Sequence, residues 1–203
     1  MPKIIDVDKQ VSEILTKSID ILSECGFAQL NMRLLAKRLD ISTGTLYHYF
    51  ANKEDFYLKL LEFTVQKDLL QLETLLAQNL STSNSLDLIF EDIQQNQSHY
   101  SKQIKIWSDF LLQLSFCSQQ DRGHALVEKH SQSEEQCIQL LCQIFRTTQM
   151  SEVRFFWLSL EAILADHSVT LDAARFTEML GVLKRYCLLQ FSQIPTPTTN
   201  EEI

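Results

Sequence analysis

Between Thr43 and Lys53 the chain places side chains suited to contact with a nucleic acid at helical spacing. Thr43 and Thr45 can each donate or accept a hydrogen bond at a base edge, and their methyl groups can meet a thymine methyl. Gly44 between them has no side chain, which lets the backbone approach a groove wall closely. Tyr47, His48 and Tyr49 each follow one of these residues by a helical turn, within reach of the backbone that flanks the bases. Lys53 adds a cation to the start of the next helix, where exposed N–H groups and the helix dipole already favour phosphate. The segment is not simply an aromatic core, because Tyr47, His48, Tyr49 and Phe50 point in four successive directions and one helix cannot bury them all.

Two short helices must position these groups. Asn31 is a good N-cap for the first, which runs to Leu39 and turns Leu34, Leu35 and Leu39 inward. Asp40 makes the turn, Ser42 caps the second helix through Phe50, and Leu46 and Phe50, four residues apart, anchor it. These are the dimensions of a helix-turn-helix. A long helix precedes the pair, from about Asp8 to Cys25, with Val11, Ile14, Leu15, Ser18, Ile19, Leu22 and Cys25 on one stripe. Gly26 stops it and Phe27 packs back. Asn52 and Asp55 stand at capping-box spacing before a fourth helix that reaches about Asn79.

The run Gly26-Phe27, Asn31-Met32-Arg33-Leu34-Leu35-Ala36, Asp40 to Phe50 and Asn52-Lys53-Glu54-Asp55 resembles the N-terminal signature of TetR-type bacterial regulators. The likeness covers about residues 8–62. It implies an all-helical homodimer, usually a repressor, with an inducer pocket in its C-terminal domain. It also implies DNA contacts from Arg33, Thr43, Thr45, Tyr47, His48, Tyr49 and Lys53. One departure is Asp40, where the family usually has Gly or Asn. Asp tolerates a left-handed backbone less well than Gly but better than most residues.

The remaining sequence agrees with an all-α class: an N-terminal three-helix helix-turn-helix domain followed by a C-terminal helical bundle. Between Pro2 and Pro195 there is no proline, the chain has 4 glycines, and apolar residues recur at three and four rather than at two. Further helices are expected near 84–96, 99–117, 122–147, 151–167 and 170–191. The expected domains are a head over 1–52, a ligand-binding and dimerisation bundle over 53–191 with 53–79 as connecting helix, and a disordered tail over 192–203. The net charge of −8 is unusual for a DNA binder, but residues 1–60 are balanced, so the excess acid lies beyond them. Between 33 and 53, Arg33, Lys37, Arg38 and Lys53 face Asp40 alone. Lys37 and Arg38 are expected to be more solvated than DNA-bound.

In the bundle, Trp107, Phe110, Leu114, Phe145 and Phe156 are the candidate lining of a pocket for an apolar or amphipathic inducer, against the blander reading that they fill a core. The last helix carries two apolar stripes, Ala173, Phe176, Leu180, Leu183 and Cys187 beside Met179, Val182, Tyr186 and Leu189. Two faces need two partners, and Phe176, Leu180, Gly181, Leu183 and Cys187 are the candidate dimer interface. Five cysteines with no C-x-x-C pair argue against a disulfide framework or a zinc site. No catalytic or phosphate-loop motif occurs, and neither cofactor, metal nor enzymatic activity is expected. The N-terminus has no apolar signal region, so a cytoplasmic protein with no membrane partner is expected. The expected partners are double-stranded operator DNA, a second copy of the chain and a small-molecule inducer. The competing expectation is a nucleoid-associated or structural DNA-binding protein without an inducer.

Overall fold

The structure is a computed structural model that describes residues 7–116 and 120–191. Among the described residues nine helices and no strands occur: α1 (Val7–Gln29), α2 (Met32–Arg38), α3 (Thr43–Tyr49), α4 (Lys53–Ala77), α5 (Thr82–Gln95), α6 (Gln97–Phe116), α7 (Gln120–Ile144), α8 (Met150–Thr170) and α9 (Ala173–Phe191). The expected tail at 192–203, Cys117 and the side chain of Leu114 lie outside what is described. None of the described helices is long and apolar enough to cross a membrane.

The chain forms two compact units. The first joins Met1–Leu70 to Gln97–Glu134, and the second joins Gln71–Asn96 to Glu135–Ile203. This division by packing differs from the expected division by task at residue 52, because α4 and α6 supply core to the first unit. Phe56, Tyr57 and Leu60 of α4 and Ile106 and Phe110 of α6 are buried with Ile14, Leu22, Leu35 and Leu46. The α1 stripe faces this core, and Ser18, fully buried within it, donates its hydroxyl to the Ile14 carbonyl at 2.7 Å. In the second unit α9 packs on α8 and α5. There Phe145 stacks on Phe191 with ring centres 4.9 Å apart, and edge-on contacts join Phe156 to Phe145 and Phe90.

Candidate nucleic-acid interface

Local hydrogen bonds build the two short helices in the way their capping residues dictate. Asn31 Oδ1 accepts the Leu34 N–H at 2.9 Å, and Ser42 Oγ accepts the Thr45 N–H at 2.9 Å. Each satisfies a donor that a helix start would leave unpaired. Between them Asp40 takes φ 55. The Ile41 N–H then reaches the Ala36 carbonyl at 3.0 Å and the Asp40 N–H the Lys37 carbonyl at 3.3 Å. This is a Schellman termination, with aspartate in the left-handed position. At the start of α4 the capping is reciprocal but offset: Asn52 Oδ1 accepts from the Asp55 N–H at 2.7 Å, while Asp55 Oδ2 accepts from the Ala51 N–H at 2.8 Å.

Leu46 and Phe50 are fully buried and fasten α3 to the unit. On α2 the buried face is Met32, Leu35 and Ala36, whereas Leu34 and Leu39 are half-buried. The expected inward role of Leu34 is therefore corrected. In a seven-residue helix the face that repeats at i, i+3 and i+4 starts at Met32, and Leu34 falls beside it.

The other side of α3 is open. Gly44 and His48 are exposed, Tyr47 is 53% exposed, and Thr43 and Thr45 are half-buried. Thr45 Oγ1 also lies 2.8 Å from Ser42 Oγ, so its hydroxyl is oriented by the cap. Tyr49 is turned the other way: it is half-buried and donates its hydroxyl to Gln10 Oε1 at 2.7 Å, bracing α3 against α1. Lys59 supports the same corner by donating to the Tyr49 carbonyl at 2.9 Å. Arg33 is exposed on α2, and Arg38 is paired with Glu24 at 2.6 Å. The Lys53 ammonium stands 4.0 Å from the centre of the Phe27 ring. Gln10 and the ring under Lys53 have no signal in local sequence, since each meets its partner only through tertiary packing.

The candidate pocket residues fall in both units. Phe110 is 2% exposed and stacks on Tyr57 at 4.5 Å, and Trp107 stacks on His130 at 3.7 Å, all in the first unit. Burial holds the His130 pKa down at about 4. Phe145 and Phe156 are buried in the second unit. Each is packed against aromatic neighbours of its own unit. An open groove of about 490 Å³ lies elsewhere, lined by Val11, Leu15 and Phe63 with His48, Lys59 and Glu62 among its polar edge.

On α9, Phe176, Leu180, Leu183 and Cys187 are buried within the second unit, and burial pushes the Cys187 thiol up to about 12. The second stripe is the uncovered one: Met179, Val182 and Leu189 are exposed at 43%, 45% and 68%, beside Phe155 and Leu158 of α8 at 53% and 52%. Gly181 is half-buried between the stripes.

Two short capped helices, the second held by a buried face and presenting its other side outward, define a helix-turn-helix protein. Residues 14–60 match the family described as "Bacterial regulatory proteins, tetR family". A curated relative, the "Fatty acid metabolism regulator protein" of Bacillus subtilis (strain 168), is 25% identical over 77 residues, which is 38% of this chain and 40% of that protein. A TetR transcription regulator from Haloarcula marismortui shares the fold with a TM-score of 0.71 at 14% identity, over 89% of this chain and 97% of its own. FadR from Bacillus subtilis, solved in complex with stearoyl-CoA, is similar with a TM-score of 0.57 at 17% identity, over 84% and 96%.

Proposed function

We propose that the chain is a dimeric TetR-type transcriptional regulator that binds a pseudo-palindromic operator and is released from it by an apolar or amphipathic small molecule. The observation that carries this reading is the open face of α3 from Thr43 to His48, backed by the fully buried Leu46 and Phe50. Such a helix can enter a major groove, where Thr43 and Thr45 meet base edges and Tyr47, Arg33 and Lys53 hold phosphates. Tyr49, engaged with Gln10, contributes by fixing the angle of α3.

Two heads on one duplex need a dimer, and the exposed stripe of Phe155, Leu158, Met179, Val182 and Leu189 is the surface proposed for it. This replaces the buried α9 stripe, whose side chains already have partners inside the protomer. The similarity to a regulator named for fatty acid metabolism and to one solved with stearoyl-CoA supports a fatty acyl compound as the inducer. Such a ligand releases DNA only if it prefers the arrangement of heads that does not fit the operator.

Selection of genomic fragments by the purified protein, followed by titration of the bound operator with long-chain fatty acyl-CoA, tests the proposal. One or a few palindromes, released by micromolar ligand, are expected. Dispersed binding that no metabolite relieves would instead identify a nucleoid-associated protein.

A further inference from the structure

Gly26 breaks α1 with φ 71 and ψ 164, a backbone conformation open essentially to glycine alone. A break of this kind takes the next N–H out of the helical ladder, and here that donor is met from 82 residues away: the Phe27 N–H donates to Asp109 Oδ2 of α6. The carboxylate sits so close that a Cβ on Gly26 would lie 3.1 Å from Oδ2. Phe27, half-buried, in turn joins the first unit's aromatic cluster. Its ring meets Tyr57 edge-on at 4.8 Å and Phe110 at 5.4 Å, and carries the Lys53 ammonium on its face. Tyr57 donates its hydroxyl to the Ile106 carbonyl, one turn before Asp109 on α6. Burial first, and the nearby Asp109 second, raise the Tyr57 pKa, so this donor keeps its proton.

One turn of α6 therefore holds both the kink of α1 and the first turns of α4, and both holds converge under Lys53. We propose that Asp109 is a positioning residue for DNA binding: by anchoring the Phe27 amide it fixes the ring that places the Lys53 ammonium for phosphate. A cation over an aromatic face is held in a narrow range of positions, and a side chain held in place loses less freedom on meeting phosphate than a free lysine. The inference rests on the proposed phosphate role of Lys53.

The test compares wild type, Asp109→Ala, Asp109→Asn, Lys53→Ala and the Asp109→Ala/Lys53→Ala double variant on the selected operator across a salt series. Lys53→Ala should lower the slope of log affinity against log salt by about one unit. Asp109→Ala should lower it nearly as far, the double variant should bind no worse than Lys53→Ala alone, and Asp109→Asn, which keeps an acceptor, should restore most of the loss. Amide exchange at Phe27 should quicken about tenfold or more in Asp109→Ala, as for loss of a charge-assisted hydrogen bond. Additive losses, or an unchanged slope in a folded Asp109→Ala protein, would overturn the inference while leaving the regulator reading intact. If Asp109→Ala does not fold, Phe27→Leu keeps the backbone bond but removes the ring, and an unchanged slope there overturns it equally. A wild-type protein that selects no DNA sinks the proposed function itself, and Lys53's role with it.

Discussion

The helix-turn-helix and the last helix are both short amphipathic problems, yet their sequences constrain them to different degrees. In α2 and α3 three of the four boundaries have their own chemical mark: Asn31 and Ser42 occupy the cap positions their side chains favour, and Asp40 the left-handed turn it tolerates better than most residues. In α9 there is no such mark between the stripes. Phe176, Leu180, Leu183 and Cys187 are as apolar as Met179, Val182 and Leu189, and periodicity alone cannot tell which faces inward. Polar caps act within three or four residues, while apolar faces are defined by whatever packs on them.

The largest test of this contrast is to truncate one residue from each α9 stripe. Phe176→Ala removes a ring that is 2% exposed and is expected to cost about 3–5 kcal/mol of unfolding free energy, read by chemical denaturation. Val182→Asp on the open stripe should leave the fold intact yet yield monomers on sedimentation. If Val182→Asp stays dimeric, the subunit contact lies elsewhere.

A second test uses pH to separate the units, since His130 belongs to the first. Its pKa is lowered from 6.5 to about 4 by burial, so the unfolded chain takes the proton first. Stability from this group is present in full above pH 6.5 and is lost as the pH falls toward 4. Melting followed by Trp107 emission in a Trp157→Phe background should move to lower temperature across that window. His130→Phe, which keeps a ring on Trp107, should flatten the dependence, and a curve that persists in this variant would assign it to other groups.

Smaller in size is the Ser42 cap. Ser42→Ala is expected to destabilise the head by about 1 kcal/mol and to blunt base discrimination, because Thr45 loses the neighbour that orients its hydroxyl. Competition binding with single-base operator variants reads the second effect; a loss of stability with discrimination intact would remove Thr45 from the readout.

The mildest change is at Gly181, where an added Cβ would meet nothing nearer than Arg185 Nη1 at 3.7 Å. Gly181→Ala should raise stability by up to about 1 kcal/mol, the helix preference of alanine over glycine. Gly181→Leu should be tolerated by the isolated protomer. If it nevertheless abolishes dimers, a partner helix crosses at that glycine and the seam extends between the stripes.

Much of the molecule was legible in order along the chain. The helices expected near 84–96, 99–117, 122–147, 151–167 and 170–191 correspond to α5–α9 within a few residues, because long apolar periodicity is a local property. The head's caps, its buried Leu46 and Phe50 and the backbone turn at Asp40 were equally local. The expected single stop at Gly26 became a break within α1, since glycine permits the conformation but only the acceptor on α6 decides how the chain continues.

What the sequence by itself determined is thus the set of helices, the helix-turn-helix and the polar residues that cap it, each enforced by neighbours within one or two turns. Tertiary structure alone decided that α6 joins the head's core, that Asp109 meets the Phe27 amide, that Tyr49 is tied to Gln10, and which α9 stripe is buried. The physical reason is range. Capping and periodicity act over four residues, whereas these pairings join residues separated by tens of positions and depend on which of several equally apolar faces come together.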